Sequence, residues 1–383
     1  MMQRVKISDF AEVITGGTPS TSVDEYWDNG TIPWLQSGAC QNCIIKECDT
    51  FITEEGLKNS AAKMMKPESV LIALTGATTG KVGYLTFEAC ANQSVTGIQP
   101  NNKYLPKYLY YYLMGIRQKI LDDSYGGAQK HISQGYVKNL EVPLGTIEEQ
   151  RTIVNAIEKV DAVISARKNE LQLFDNLIKA RFVEMFGDPM DNPKCYPIKS
   201  YGELFELNAG GTPSKTKPEY WNNGTISWIG SNMCQNTLLY ENDGKYITQE
   251  GYDHSSSRLF PIDTVLIALV GATIGKTALL RFETSTNQNV LGVRHIRESN
   301  YNPMFVFYYT QFLYQKFMNI GDGGFNMASK GFISELPMYE IGIEEQNAFS
   351  SFAEQIDKSK FVVQKALDKA QLLFDSLMQK YFG

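Results

Sequence analysis

Two glycine-rich turns that end in lysine have residue types that could bind a phosphate group. Gly76-Ala-Thr-Thr-Gly-Lys81 and Gly271-Ala-Thr-Ile-Gly-Lys276 each follow an apolar run. A nucleotide-binding P-loop has four residues between its glycines, whereas these turns have three, and Val82 stands where that loop needs a magnesium-binding hydroxyl. The pattern disfavours an ATPase. Exposed backbone N–H groups and a lysine can still hold a phosphate of a nucleic acid.

A second segment resembles the motif with which N6-adenine methyltransferases hold a flipped base. Asn302-Pro303-Met304-Phe305 has this pattern, but the matching segment elsewhere in the chain reads Leu105-Pro106-Lys107-Tyr108. No glycine-rich cofactor loop follows a first strand. Pro303 is therefore better explained as the first-turn proline of a helix.

Cysteine and histidine are too few and too poorly repeated for a metal or catalytic site. Cys40, Cys43 and Cys48 fall short of a four-ligand zinc site, and the later copy of this segment keeps Cys234 but has Thr237 in place of the second cysteine. None of the three histidines recurs between the copies. We therefore expect no bound metal and no catalytic residues in this chain.

The remaining chemistry lies in polar, turn-like segments that occur twice. Gly-Gly-Thr-Pro-Ser offers hydroxyls and close backbone approach, and the Asn-Gln pairs offer amides, which bind adenine bidentately in the major groove. The open alternative is that the amides cap turns. We expect DNA contacts from Gly17, Thr18, Ser20, Thr78, Thr79, Lys81, Asn92, Gln93, Ser94, Gln129, Lys130 and His131, and from Gly211, Thr212, Ser214, Thr273, Lys276, Asn287, Gln288, Asn289, Asn326 and Lys330.

These segments belong to one duplicated unit. Ile14–Ser20 recurs as Asn208–Ser214, and Tyr26-Trp27 returns as Tyr220-Trp221, both with an offset of 194 residues. The offset reaches 196 where Glu-Glu-Gln at 148–150 returns at 344–346. Each copy has a first part rich in Gly, Pro and aromatic residues, which is typical of a mixed α/β or α+β globule.

The second part of each copy is helical. Residues 148–186 and 344–382 contain no Gly or Pro, and apolar residues recur every seven positions, as in coiled coils. A 39-residue helix is about 58 Å long and must bury its far half beyond its own globule, so we expect the two helices to pair, although packing on the parent globules stays open. The predicted pairing residues are Ile153, Ile157, Val160, Ile164, Leu171, Phe174, Phe349, Ile356, Val363, Ala370, Leu373 and Leu377.

Length and composition set the class of protein. The 383 residues carry 36 Lys and Arg against 42 Asp and Glu, a net charge of −6, with 43% hydrophobic residues. This composition excludes a disordered polymer and a chain that coats nucleic acid by charge alone. The six cysteines show no secreted spacing, and we expect a cytoplasmic protein without a membrane span.

The predicted fold is mixed α/β, with two duplicated globules and two long helices forming an antiparallel coiled coil in pseudo-two-fold relation. The expected limits are a first globule over 1–145, a helix over 146–187, a linker over 188–194, a second globule over 195–340 and a second helix over 341–383. The offset changes from 196 at Asp161 and Asp357 to 200 at Phe174 and Phe374, so we expect the helix register to shift there by about one turn.

The whole pattern resembles the specificity subunit of type I restriction-modification systems. The likeness rests on the tandem order of Gly-Gly-Thr-Pro-Ser, Tyr-Trp, Val-Leu-Ile-Ala-Leu, the lysine-containing glycine turn, Asn-Gln, and Ile-Glu-Glu-Gln before a heptad helix. It covers essentially the whole chain. The resemblance implies that each globule is a target recognition domain for one half of a bipartite, asymmetric double-stranded DNA sequence, and that the helices set the spacer and dock two modification subunits.

The resemblance also implies a division of labour. The chain would be a non-catalytic subunit without a cofactor, while S-adenosylmethionine, ATP and Mg²⁺ would belong to modification and restriction subunits. Because the two copies differ at 129–131 and 326–328, we expect unlike half-sites. The competing interpretations are a duplicated protein-interaction scaffold without DNA binding, and a stand-alone DNA-modifying enzyme, which the missing cofactor motif disfavours.

Overall fold

In the computed structural model, residues 3–127, 130–295, 300–320 and 327–383 are described. The chain divides into two compact units. Unit 1 contains residues 1–169 and 364–383, and unit 2 contains residues 170–363. The mixed α/β fold with two sheet-containing globules and two long helices is confirmed.

The globule of unit 1 is built from ten strands and five short helices among its described residues. The strands are β1 (Gln3–Lys6), β2 (Val13–Thr15), β3 (Ile32–Leu35), β4 (Cys43–Ile45), β5 (Phe51–Ile52), β6 (Val70–Ala73), β7 (Val82–Leu85), β8 (Cys90–Ala91), β9 (Val95–Ile98) and β10 (Glu141–Leu144). The helices are α1 (Ile7–Phe10), α2 (Glu54–Lys58), α3 (Pro106–Gly115), α4 (Arg117–Asp122) and α5 (Gln134–Asn139).

The main sheet of unit 1 has the order β2-β9-β6-β7-β4, with all neighbours antiparallel except β4 and β7. A smaller sheet has the order β5-β3-β8, and β1 pairs with β10. Because of these strand directions, the turns that follow β2 and β6 and the turns that precede β9, β7 and β4 all lie at the same end of the main sheet. We call this end the loop end.

The globule of unit 2 repeats this plan. Its strands are β11 (Ile198–Ser200), β12 (Phe205–Ala209), β13 (Ile226–Ile229), β14 (Thr237–Leu239), β15 (Tyr246–Ile247), β16 (Leu259–Phe260), β17 (Val265–Ala268), β18 (Thr277–Leu280), β19 (Thr284–Thr286), β20 (Val290–His295) and β21 (Pro337–Tyr339). Its short helices are α7 (Tyr201–Leu204), α8 (Gln249–Asp253), α9 (Pro303–Phe312), α10 (Tyr314–Met318) and α11 (Lys330–Ser334). The main sheet has the order β12-β20-β17-β18-β14, and it has the equivalent loop end.

The two long helices have 40 residues each. Helix α6 spans Ile147–Phe186, and helix α12 spans Ile343–Phe382. A reciprocal cap starts the first: the Thr146 hydroxyl accepts from the Glu149 N–H at 3.2 Å, and a Glu149 carboxylate oxygen accepts from the Thr146 N–H at 2.7 Å. Gly187, with φ +78°, ends it in the left-handed conformation that glycine favours.

Helix segments complete the core of each unit. In unit 1, Ile157 and Ile164 share one buried cluster with Phe374, Met378 and the aromatic helix α3. In unit 2, Phe182 lies 5.2 Å from Phe349 between ring centroids, and Lys360 binds Asp175 at 2.6 Å. Because residue numbers rise on one helix as they fall on the other, the helix segments of unit 2 are antiparallel.

Most of the predicted pairing residues lie on the packed faces, and one does not. Ile153, Ile157, Ile164, Phe349 and Val363 are buried, and the others except Leu373 are partly buried. The pairing role predicted for Leu373 is wrong, because its side chain is 52% exposed and Phe374 takes the packed position. In the described part of the chain, no helix combines the length and apolar character needed to cross a membrane.

Candidate nucleic-acid interface

The loop end of unit 1 brings together most of the predicted contact residues of the first copy. Main-chain hydrogen bonds join its turns: the Gly16 N–H donates to the Val95 carbonyl at 3.1 Å, and the Leu74 N–H donates to the Ser94 carbonyl at 2.8 Å. The chain segment that contains Lys130 reaches the same place, because the Lys130 carbonyl accepts from the Gly76 N–H at 3.1 Å. Segments far apart in sequence therefore form one polar surface.

The glycine pair of Gly-Gly-Thr-Pro-Ser is buried and fully used inside the globule. The Gly17 N–H donates to the Ala91 carbonyl at 2.8 Å, and its own carbonyl accepts from the Trp34 indole N–H at 2.9 Å. A Cβ on Gly17 would lie 2.4 Å from the Ala61 carbonyl carbon. The predicted DNA contact by Gly17, and by the equivalent Gly211, is therefore wrong, because these glycines allow close packing of backbone segments.

The hydroxyl and the amide that follow are paired at the surface. The Thr18 hydroxyl donates to the Gln93 side-chain oxygen at 2.5 Å. This bond orients the exposed Gln93 amide and leaves its NH₂ group available as a donor. Ser20 is also exposed, and its hydroxyl lies 2.9 Å from the Ser22 hydroxyl.

The neighbouring asparagine has a divided role. The Asn92 side-chain oxygen accepts from the Ser94 N–H at 3.1 Å, which is a turn-capping bond. The turn-capping role, which the sequence left open as an alternative to DNA contact, therefore applies to this oxygen. The Asn92 amide nitrogen and the Ser94 hydroxyl make no hydrogen bond with a described residue, so both stay available at the partly exposed turn.

The lysine-containing glycine turn presents its cation but buries one of its threonines. The Lys81 ammonium donates to the Gln41 side-chain oxygen at 2.6 Å, and the partly exposed Thr78 donates to the Thr75 carbonyl at 3.3 Å. Thr79 is 1% exposed, and its hydroxyl lies 2.8 Å from both the Gly76 and the Lys130 carbonyl oxygens, to either of which it can donate. The predicted DNA contact by Thr79 is wrong, because its hydroxyl is enclosed.

The third loop of unit 1 adds a cation and a ring pair. Lys130 is exposed, and its ammonium lies 3.4 Å from the Leu121 carbonyl. His131 forms a β-bridge with Tyr125, and the two rings meet edge to face with centroids 5.0 Å apart. Tyr125 is 59% exposed, and no motif or repeat in the sequence marks it as a contact residue. Gln129 lies outside the described residues.

Unit 2 repeats these bonds with different residues in between. The Thr212 hydroxyl donates to Gln288 at 2.5 Å, and the Lys276 ammonium donates to Gln235 at 2.9 Å. Three further predicted residues match their counterparts: Thr273 donates to the Val270 carbonyl, the Ser214 hydroxyl lies beside Thr216, and the Asn287 side-chain oxygen accepts from the Asn289 N–H. Lys330 is exposed at the start of α11, where unit 1 has Gln134 at the start of α5. Asn326 lies outside the described residues.

The buried cysteine thiols of the two globules are unsuited to nucleophilic chemistry. Burial raises the pKa of the Cys40, Cys90 and Cys234 thiols to about 12, so they stay protonated at neutral pH. Among the residues that the structure describes, no group of three or more His, Cys, Asp or Glu is placed to hold a metal ion. The surface offers hydrogen-bond donors, acceptors and ammonium groups, which are the groups that bind phosphates and base edges.

Sequence reasoning missed several polar residues at this end of the globules. Gln41 and Gln235 hold the two turn lysines, and they stand in the repeated Cys-Gln-Asn segment, which was a usable signal. In unit 2 a cleft of about 430 Å³ lies beside Asn287, and it is lined by Lys215, Trp221, Trp228, Gly230, Asn232 and Lys245. Lys215 and Lys245 differ between the copies, so a search for repeated residues passes over them.

Comparison with known proteins identifies the duplicated pattern. A family model described as the type I restriction modification DNA specificity domain matches residues 1–173 and again 193–369. The MjaIX specificity subunit of Methanocaldococcus jannaschii is 25% identical over 244 residues, and the EcoR124I/EcoR124II specificity subunit of Escherichia coli is 28% identical over 281 residues. These matches cover 58% and 70% of this chain and 56% and 65% of the relatives, so under two thirds of each relative's length is spanned.

Solved structures share the fold. The S subunit of a type I restriction-modification system from M. genitalium superposes with a TM-score of 0.60 at 14% identity, over 100% of this chain and 96% of that chain. A chain from a structural study of the complex assembly of the type I restriction-modification system gives a TM-score of 0.55 at 16% identity, over 99% and 97% of the two chains.

Proposed function

Because the chain belongs to the type I restriction modification DNA specificity domain family, we propose that it selects the DNA target of a type I restriction-modification enzyme. Each globule contacts one half of a bipartite, asymmetric sequence in double-stranded DNA. The long helices set the spacer between the halves. The domain limits expected from the sequence are retained as part of this proposal.

The observation that carries the proposal is a shared scaffold with unlike side chains on it. The Thr–Gln, Lys–Gln and Asn-turn hydrogen bonds recur in both units at the same end of the main sheet. Between them, residues differ: His131 in unit 1, which forms a β-bridge with Thr75, stands where Met327 in unit 2 forms a β-bridge with Val270. A shared backbone scaffold that presents different side chains suits two target recognition domains that bind unlike half-sites.

After the geometry is considered, the residues we propose for DNA contact are those with an exposed or partly exposed polar group. In unit 1 they are Thr18, Ser20, Thr78, Lys81, Asn92, Gln93, Ser94, Lys130 and His131. In unit 2 they are Thr212, Ser214, Thr273, Lys276, Asn287, Gln288, Asn289 and Lys330.

The helices provide the docking surface for two modification subunits. Leu173 is 56% exposed and its repeat counterpart Leu373 is 52% exposed, so each unit presents one copy of the same leucine. Val163, Leu177, Val362 and Leu372 are further exposed apolar side chains on these helices. Apolar groups on a helix surface are costly in water and mark contact sites for other proteins.

The chemistry of the system resides in those partners. S-adenosylmethionine is used by the modification subunits for adenine methylation, and ATP and Mg²⁺ are used by restriction subunits where these are present. This chain contributes selection alone, and it acts in the cytoplasm. The net charge of −6 fits this arrangement, because part of the electrostatic attraction to DNA then comes from the partners.

A methylation map of genomic DNA tests the proposal. The chain is co-expressed with its modification subunits in a host without other adenine methylation, and methylated sites are read by long-read sequencing. We expect one bipartite motif with unlike halves. Methylation independent of this chain, or identical half-sites on both sides of the spacer, would contradict the proposal. A scaffold without DNA binding predicts no footprint on any duplex by the assembled complex.

A further inference from the structure

The two units carry opposite charge at one matched loop. This loop begins at the serine of Gly-Gly-Thr-Pro-Ser and ends two residues after the Tyr-Trp pair. Residues 20–29 of unit 1 contain two aspartates and one glutamate, a net charge of −3, whereas residues 214–223 of unit 2 contain two lysines and one glutamate, a net charge of +1. The scaffold is the same in both, because Trp27 and Trp221 donate to the carbonyls of Ser20 and Ser214 at 3.0 and 3.1 Å.

In unit 2 this loop borders the cleft beside Asn287. Trp221 and Trp228 form its wall, edge to face with ring centroids 5.2 Å apart, and their indole N–H groups are used internally. The polar lining consists of Lys215, Lys245, Asn232 and Asn287. Lys245 is paired with Asp243, whereas Lys215 is exposed and makes no ion pair or hydrogen bond with a described residue.

Unit 1 has different residues at the matching positions. Thr21 stands for Lys215, Gly38 stands for Asn232, and Gln36 stands for Gly230. Thr50 stands for Lys245, because the Trp34 and Trp228 backbone N–H groups donate to the carbonyls of Thr50 and Lys245. A Cβ on Gly230 would lie 2.6 Å from the Asn232 side-chain oxygen, so the missing side chain keeps this cleft open.

We propose that the cleft of unit 2 binds a phosphate of the DNA backbone beside its half-site, with Lys215 as the contacting cation. This inference rests on the proposed function and extends it. An ammonium without a partner among the described residues, beside amide donors and at the edge of the candidate interface, suits a phosphodiester oxygen. The acidic loop of unit 1 repels the same group. The DNA half-site bound by unit 2 is therefore held more strongly through its backbone than the other half.

Salt dependence of binding measures such a contact. Each phosphate contact adds about 0.9 to the slope of log Kd against log salt concentration for duplex DNA. We expect Lys215→Thr in the reconstituted complex with modification subunits to lower this slope by about 0.9, and the affinity at 50 mM salt to fall more than at 200 mM. Thr21→Lys combined with Gln36→Gly, which copies both the lysine and the glycine of unit 2, should raise the slope, and this tests the idea even if the first variant folds poorly.

The matched controls separate a local contact from net charge and from packing. Lys199→Thr removes one positive charge next to the opposite end of the unit 2 sheet, where Lys199 pairs with Glu340, and should leave the slope unchanged. Gly230→Gln copies unit 1, is compatible with a backbone φ of −97°, and should weaken binding by filling the cleft. Thermal unfolding of each variant reports whether the fold is kept.

Two duplexes distinguish phosphate from base contact. One contains the motif found in the methylation map, and in the other the half-site of unit 2 is scrambled. A phosphate contact predicts that Lys215→Thr lowers the slope equally for both. An unchanged slope, or a loss confined to the intact motif, would overturn the inference. If the wild-type complex binds neither duplex more tightly than random DNA, the proposed function fails instead.

Discussion

The Gln150 side-chain oxygen accepts a hydrogen bond from the Leu105 backbone N–H at 2.9 Å, and its amide donates to the Gly145 carbonyl at the same distance. Gln150 is fully buried. One side chain therefore joins the start of α6 to the residue that precedes α3. Gln346 repeats this in unit 2, where it binds the Asn302 N–H and the Ile341 carbonyl.

Truncation of this glutamine should destabilise its unit. Gln150→Ala leaves a partly buried N–H and a partly buried carbonyl without this partner, and we expect a loss of about 1–3 kcal/mol in the free energy of unfolding. Urea denaturation followed by circular dichroism measures it. Gln172→Ala, on an exposed face of the same helix, is the control and should change stability by less than about 0.5 kcal/mol. Equal effects of the two changes would contradict the assigned role.

Alanine in place of the buried glycine should distort the globule. A Cβ at Gly17 or Gly211 would lie 2.4 Å from backbone carbon, so we expect Gly17→Ala to cost at least about 1–3 kcal/mol. Gly38→Ala is a matched control, since no atom lies within 4 Å of its added Cβ. Differential scanning calorimetry compares them. Normal stability of Gly17→Ala together with lost DNA binding would restore the direct contact that the structure argues against.

Loss of the threonine–glutamine hydrogen bond in one unit should affect only the half-site that this unit contacts. Thr18→Ala frees the Gln93 amide to rotate, and we expect relaxed selection in the half-site of unit 1, with up to about 1–3 kcal/mol of base discrimination lost. Thr212→Ala should do the same for the other half. Methylation maps of both variants measure this. Relaxation in both halves by either variant would contradict independent readers.

The exposed leucines should matter for assembly and little for folding. We expect Leu173→Glu and Leu373→Glu each to weaken binding of a modification subunit by more than tenfold, with thermal unfolding nearly unchanged, because a carboxylate would be buried in the interface. Analytical ultracentrifugation of mixtures gives the stoichiometry. The control is Glu354→Lys, a charge reversal on α12 outside this leucine repeat. Full assembly of the double leucine variant would remove the helices as docking surfaces.

The polar network of unit 2 should make stability depend on pH. Burial raises the pKa of the Asp357 carboxyl, although Lys360 and the Tyr308 hydroxyl act in the opposite direction. The folded state therefore holds this proton to higher pH than the unfolded chain, and the contribution of Asp357 to stability falls as pH rises from the ordinary aspartate range through the raised value.

Replacement of this carboxylate checks the sign. Asp357→Asn removes the titration and keeps an acceptor for Tyr308, so the stability of the variant relative to wild type should increase with pH from about 4 upward and then level off. Urea unfolding at several pH values measures the difference. A trend that falls with pH would show that the Lys360 ion pair outweighs burial.

Repetition predicted the architecture well because both copies had to bury the same faces. The Val-Leu-Ile-Ala runs form β6 and β17, which are completely buried. The heptads predicted the helix faces, but the position of Leu373 was wrong. Leu373 and Phe374 lie three and four residues after Ala370, so both fall close to the packed face of the helix, and only side-chain packing decides that Phe374 is the buried one.

Individual contact residues were harder to predict, because the type of a residue does not show whether the fold buries it. Gly17 and Thr79 are residue types that could contact DNA. In the structure, neighbouring backbone packs against Gly17, and two backbone carbonyls lie next to the Thr79 hydroxyl. For Thr79 a signal existed: its counterpart is Ile274, which is 5% exposed and makes a polar role at that position inconsistent between the copies. Gly17 offered no such signal, since Gly211 is identical.

The recurrence of the Trp34–Gly17 bond as Trp228–Gly211 means that the two copies can serve as templates for each other. A loop that starts and ends on the same pair of anchors can be moved from one copy to the other without redesign of the surrounding core. Exchange of segments 20–29 and 214–223 would thus move Lys215 and its positive loop into unit 1 and the acidic loop into unit 2. Recombination within the chain could then redistribute backbone affinity between the two halves of the target without a change in the bases selected.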